Sequence, residues 1–147
     1  MSFRGNLIRR GLNLTFSEAV LSVPLCKYQP THAAMTTTAT ITVANLLKGI
    51  IIGVHSAGAT QTYTMPTGAD LDAGLTNGFV VNSSFDFTII NVSAAIADTI
   101  TLGVSAGIAT ILGQATIDSE DATSEFPNSG TFRVRKTAAD TFIVYRL

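Results

Sequence analysis

Phe85-Asp86-Phe87-Thr88-Ile89-Ile90-Asn91-Val92 sends Phe85, Phe87, Ile89 and, less cleanly, Asn91 to one side of an extended chain. Alternate residues of a strand point to opposite faces, so this period of two marks a β-strand with one face on a core. The same period recurs downstream. Asp98-Thr99-Ile100-Thr101-Leu102-Gly103-Val104 would turn Ile100, Leu102 and Val104 inward. Thr131 to Lys136 would turn Phe132 and Val134 to the core and Arg133 and Arg135 to water. Thr141 to Arg146 follows after Thr137-Ala138-Ala139-Asp140, a link short and polar enough for a hairpin. Upstream, Thr40 to Val43 and, more weakly, Thr60 to Met65 alternate in the same way.

Between these runs lie Ser56-Ala57-Gly58, Asn77-Gly78, Ser105-Ala106-Gly107 and Pro127-Asn128-Ser129-Gly130, all turn chemistry. Two short helices are expected, Val43 to Lys48 ending at Gly49 and Gly68 to Thr76 ending before Asn77-Gly78. Strands spaced every ten or so residues without a long helix predict an all-β fold, an antiparallel β-sandwich or small barrel with one or two helical turns.

The chain has 147 residues, room for one domain and an extension. Charge splits it in two. Residues 1–35 carry Arg4, Arg9, Arg10 and Lys27 against Glu18 alone, a net of +3, whereas 36–147 carry five basic and nine acidic side chains. The expected organisation is therefore a basic, extended N-terminal arm at 1–35 and a β body at 36–147, starting after Met35. An arm of this kind suits contact with neighbouring subunits or an acidic partner; the alternative is a solubilising terminus. A secretory leader is not expected, because Leu12 to Pro24 is broken by Asn13, Thr15, Ser17, Glu18 and Ser22.

Hydrophobic residues make up 46% and charged residues 13%, about half the usual ~25%. With net charge -1, a nucleic-acid binder built on a basic surface is disfavoured and no membrane attraction is expected. No stretch approaches the ~18 uninterrupted apolar residues of a membrane helix. A chain so apolar and so poor in charge is expected to bury surface against copies of itself or a partner.

Chemistry is sparse. The single Cys26 excludes an internal disulfide, and His32 and His55 are too far apart for metal-ligand spacing. Cys26 is expected to be a small packed residue rather than a reactive thiol. His55 stands at a strand end with Asp70 or Asp72 as possible carboxylate partners, but there is no Gly-x-Ser-x-Gly elbow. Asp118, Glu120, Asp121 and Glu125 could offer calcium oxygens, yet lack the Asp-x-Asp-x-Asp-Gly order and read as a solvated loop. No Walker A or Gly-x-Gly-x-x-Gly motif occurs. No catalytic residue, cofactor or metal is assigned.

Four segments resemble small β-rich virion structural proteins of tailed phages and related viruses. They are Thr38-Ala-Thr-Ile-Thr-Val-Ala-Asn-Leu-Leu-Lys-Gly-Ile50, Thr64-Met-Pro-Thr-Gly-Ala-Asp-Leu-Asp72, Ser84-Phe-Asp-Phe-Thr-Ile-Ile-Asn91, and Gly130 to Lys136 continuing through Phe142 to Leu147. They fall within 36–147; the arm lies outside the resemblance. What it implies is a non-enzymatic protein of capsid decoration (cement), minor capsid or head-fibre base type. Its partners would be itself, as a homotrimer, and a major capsid or other virion protein, with neither nucleic acid nor membrane. It would sit on the capsid surface after assembly in the host cytoplasm, with Arg4, Arg9, Arg10 and Lys27 as arm contacts. The alternatives are a carbohydrate-binding, lectin-like sandwich using an exposed Tyr63 with Asn82, and a small hydrolase using His55.

Overall fold

The computed structural model describes residues 29–55, 60–75, 78–95, 97–119 and 127–147. In chain order the elements are β1 (Ala33–Met35), β2 (Ala39–Thr40), α1 (Val43–Leu47), β3 (Ile50–Gly53), β4 (Gln61–Thr64) and α2 (Gly68–Gly74). There follow β5 (Ser84–Asn91), β6 (Ile100–Gly103), β7 (Ile108–Leu112), β8 (Thr116–Ile117), β9 (Ser129–Ala138) and β10 (Thr141–Arg146). The protein is mostly β, with a six-stranded sheet ordered β1-β3-β5-β9-β10-β7 and a four-stranded sheet ordered β2-β4-β6-β8.

The expected antiparallel arrangement is corrected by the pairing. β1, β3 and β5 are mutually parallel, as are β2, β4 and β6, and β7 runs parallel to β10. Only β5–β9, β9–β10 and β6–β8 are antiparallel. The cause is the path of the chain: from β1 to β6 successive strands fall alternately in the two sheets. A chain that crosses to the opposite sheet and returns re-enters running in its original direction. Parallel strands covered on both sides tend to read as unbroken apolar runs rather than alternations, and Ile50-Ile51-Ile52 is such a run.

Register sets the core. Ile51 pairs with Ile89, and Phe87 with Phe132; Tyr63 pairs with Leu102 and Ile100 with Ile117. All of these are buried, and both sheets contribute to one hydrophobic cluster. Phe87 and Phe132 stack at 5.5 Å. Phe79 lies between Phe85 and Phe142, with ring centroids at 6.0 and 6.5 Å. Burial of a large apolar side chain contributes about 1.5–3 kcal/mol, so this cluster is the principal stabilising feature. The inward-facing sets expected of β5 and β9 are found, with Phe85 partly buried. Val104 is not inward but 53% exposed, because β6 ends one residue earlier at Gly103.

Both helices form and are shorter than expected. Thr42 caps α1 by accepting from Asn45 N, and Gly49 follows with φ of 78°. Thr67 and Asp70 form a capping box at α2, in which each side chain satisfies the other's free backbone donor. Val43, shared by the expected strand Thr40 to Val43 and the expected helix Val43 to Lys48, opens α1. Pairing with the body begins before Met35: Ala33 and Met35 are buried members of β1, and Gln29 Nε2 donates to Lys48 O at 2.6 Å.

The carboxyl ends of β1, β3, β5 and β10 define one end of the fold, here the upper; the turn between β9 and β10 lies at the lower. There three backbones converge. Gly68 N donates to Ala106 O and Phe142 N to Gly107 O, both at 2.8 Å. A Cβ on either Gly68 or Gly107 would overlap the carbonyl oxygen of Asp140. Asp140 itself takes a left-handed φ of 50°, which aspartate tolerates better than most residues. Its N–H donates to Asp72 Oδ2 at 2.8 Å, while Asp72 Oδ1 lies 2.6 Å from Lys136 Nζ.

Candidate functional site

The upper end is built from residues that leave the sheet just after β3 and β5. Asn91, fully buried, donates from Nδ2 to Asp98 O at 2.8 Å and accepts from Ser93 N at 3.2 Å. Ser93 Oγ in turn accepts from His55 N at 2.8 Å. The His55 ring stands edge-on to Tyr63 at 5.8 Å. It is 8% exposed, and neither ring nitrogen has a hydrogen-bond partner among the described residues. Burial lowers its pKa below 6.5, opposed more weakly by the Asp98 carboxylate and a Thr36 backbone group.

A neutral imidazole beside a carboxylate is the start of a general base. No hydroxyl among the described residues donates to this ring, so these residues do not complete a nucleophile–base pair. Asp70 and Asp72, the carboxylates expected near His55, are both at the lower end. Asp70 is taken up by Thr67, and Asp72 by Lys136 and Asp140. The carboxylate that senses His55 is Asp98, a neighbour that sequence spacing does not reveal.

Arg146, at the end of β10, lies over Phe132 with its guanidinium carbon 4.9 Å from the ring centre, and Nη2 donates to Ser129 O at 2.8 Å. Gly130 makes room for it, since a Cβ there would overlap the guanidinium. Burial draws the Arg146 pKa down from its usual value.

Tyr63, expected to be an exposed glycan contact, is fully buried, and its hydroxyl donates to Met35 O at 2.9 Å. That burial pushes its pKa up to about 12. The cause is register: Tyr63 occupies the inward phase of β4. Asn82 is exposed in the turn before β5, with φ of 72°, and its Oδ1 accepts from Arg135 Nη1 at 2.9 Å. Arg135 Nε donates to Tyr145 OH at 3.2 Å, and Arg133 holds Asp86 through two bonds of 2.7 and 2.8 Å. The outer face of β5, β9 and β10 is thus a polar strip.

The two ends differ from that face. Eight large apolar side chains are exposed among the described residues. Val54 (44%), Val92 (38%), Leu112 and Leu147 follow or close strands at the upper end. Val54 and Val92 extend neighbouring strands, their N–H groups bonding Met35 O and Gly53 O at 3.0 Å. Leu47, Val80 (64%), Val81 (49%) and Val104 are at the lower end. Val80 and Val81 are held by a pinned turn: Val80 N donates to Ser83 Oγ, Ser83 N to Val80 O, and Asn82 N to Lys136 O. Between α1 and α2, at the same end, lies an open groove of about 520 Å³ lined by Ile41, Val43, Pro66 and Ala73 together with Thr40, Thr42 and Asp70. Of these end residues the alternation pattern reached Val104, which it turned inward; the others sit beside strands or turns with no period to mark their exposure.

Arg4, Arg9, Arg10 and Lys27 lie outside the described residues, as do Cys26, Glu120, Asp121 and Glu125. His32 is exposed and Asp118 half-buried. Among the described residues no group of three or more His, Cys, Asp or Glu side chains could hold a metal ion, and no helix is long and apolar enough to cross a membrane. No protein-family model, curated sequence or solved structure matches this chain.

Proposed function

We propose that this chain is a non-enzymatic structural protein of a virion, decorating or cementing a capsid by joining copies of itself. In that reading the two sheets are the layers of a sandwich-like body, and residues 1–35 anchor it to a major capsid or other virion protein through Arg4, Arg9, Arg10 and Lys27. The observation that carries it is the set of eight exposed large apolar side chains on a body with few charges. Val54 and Val92 extend neighbouring strands and Val80 and Val81 share one turn, and grouped apolar side chains on a charge-poor surface favour association. The test is to purify particles and ask whether the protein is present in fixed proportion to the capsid protein. Recovery from lysate and never from particles overturns the reading.

A lectin-like module keeps one supporting observation, the strip joining Asn82, Arg135 and Tyr145, with Tyr145 in the place first given to Tyr63. A glycan array tests it, and binding weakened by Arg135→Ala would favour it.

A further inference from the structure

We propose that His55 is an acid-released latch on the upper end: neutral, it holds the seam between the two sheets shut, and taking a proton drives its segment out. This latch stands apart from the virion reading, because it concerns how the fold itself stays closed.

The seam is tight and is tied across by few polar bonds. Gly53, at the end of β3, packs so closely on the other sheet that a Cβ would overlap the Ile100 side chain and crowd the Tyr63 hydroxyl. Two side chains cross between the sheets to backbone carbonyls. Tyr63 of β4 donates to Met35 O on β1 at 2.9 Å, and Asn91 of β5 donates to Asp98 O before β6 at 2.8 Å. His55 touches both ties. Its N–H donates to Ser93 Oγ, Ser93 N donates in turn to Asn91 Oδ1, and its ring stands edge-on to Tyr63. Of the five buried polar residues among those described, His55, Asn91, Ser93 and Asp98 belong to this one cluster.

A charged ring does not suit that place. The residue is nine-tenths buried, and neither ring nitrogen has a hydrogen-bond partner among the described residues. Imidazolium carries two N–H donors, and a buried ion whose donors are unmet is driven back toward water. Burial disfavours the charged ring most; against it stand the Asp98 carboxylate before β6 and, more weakly, the Thr36 backbone after β1. Tyr63, facing from β4, ionises only near pH 12 and stays neutral, and Ser93 carries no charge. Protonation therefore favours a state in which the segment after β3 swings out with its ring. Val54 N leaves Met35 O, His55 N leaves Ser93 Oγ, and Tyr63 is uncovered.

A ring released to water recovers its ordinary pKa of 6.5. By linkage the open population then grows up to about thirtyfold between pH 7.5 and 5. Hydrogen exchange on the full chain at those two pH values tests this, with labelling times scaled for the intrinsic exchange rate. The Val54 and His55 amides are expected to lose protection about ten- to thirtyfold in acid, while the amides pairing β9 with β10 keep theirs. In His55→Gln, checked for folding by circular dichroism at pH 7.5, that loss should disappear; His55→Asn serves if the glutamine variant does not fold. Unchanged protection at Val54 and His55, an equal loss across β9 and β10, or a loss that persists in the variant would each overturn the latch.

Discussion

Gly68 and Asp140 meet backbone to backbone: the glycine at the start of α2 lies against the carbonyl oxygen of the hairpin turn, with no room for a side chain between them. Gly107 closes on the same oxygen from the β6–β7 turn. The absence of two Cβ atoms thus allows a helix start, a loop and a hairpin to share one point. Gly68→Ala is expected to cost about 3 kcal/mol in urea unfolding, because the obstructing atom is backbone and cannot swing aside. Gly78→Ala is the control. Its φ is 89° with open space around it, so only backbone strain of about 1 kcal/mol is expected.

Tyr63→Phe removes one of two donors to Met35 O, which keeps its bond from Val54 N. A loss of about 1 kcal/mol is expected, read from the thermal midpoint. The folded phenol ionises near pH 12, against an ordinary value of about 10. The folded state therefore holds that proton more tightly than the unfolded chain. The stabilisation is complete below about pH 10 and is lost as pH rises toward 12. Ultraviolet titration should show a phenol ionising late, and Tyr63→Phe should abolish that late step.

His55 predicts the opposite sign at the acid side. Its folded pKa lies below 6.5, so the unfolded chain binds the proton more readily. Stability is full above about pH 6.5 and falls as pH drops through that value toward the folded pKa. His55→Gln should flatten the melting temperature between pH 7.5 and 5. An unchanged slope in His55→Gln would show that the ring does not titrate in a buried site.

Asp72 links α2 to β9 and to the hairpin turn. Lys136 and the Asp140 N–H hold its carboxyl below the usual carboxylate range. Its contribution is present above about pH 4 and disappears as pH falls through the lowered value. Asp72→Asn retains an oxygen for Asp140 N–H and loses the ion pair; Asp72→Ala loses both. The alanine variant should have the lower denaturation midpoint at neutral pH, and hydrogen exchange at the Asp140 amide should rise in it first.

Much of the fold was legible where alternation meets a one-sided environment. Phe85–Ile89, Phe132–Val134 and the 131–146 hairpin were readable because antiparallel strands with one wet face alternate. β3 was missed since Ile50-Ile51-Ile52 has no alternation, and β1, β7 and β8 are too short or too uniformly apolar to show a period. Strand direction was misjudged for a related reason: a sequence marks a hairpin by its turn, but carries no mark of a chain crossing between sheets. At the site, His55 was legible as a residue at a strand end but not as a buried one, and its neighbour Asp98 arrives through β3–β5 pairing. Tyr63 was misplaced because Thr60–Met65 has hydroxyl-bearing residues on both sides of the tyrosine, so polarity does not tell its faces apart.

The crossing path also governs how the chain can acquire its shape. Ile51 must find Ile89, and Tyr63 must find Leu102, with a strand of the other sheet lying between each pair in sequence. β5 gains its second neighbour only when Ser129–Ala138 is present. The β9–β10 hairpin is the one long pairing among the described residues that can close locally. Loop closure over long separations slows folding, so this protein is expected to fold slowly and late, with the hairpin as the first persistent structure and the parallel ladders assembling on it.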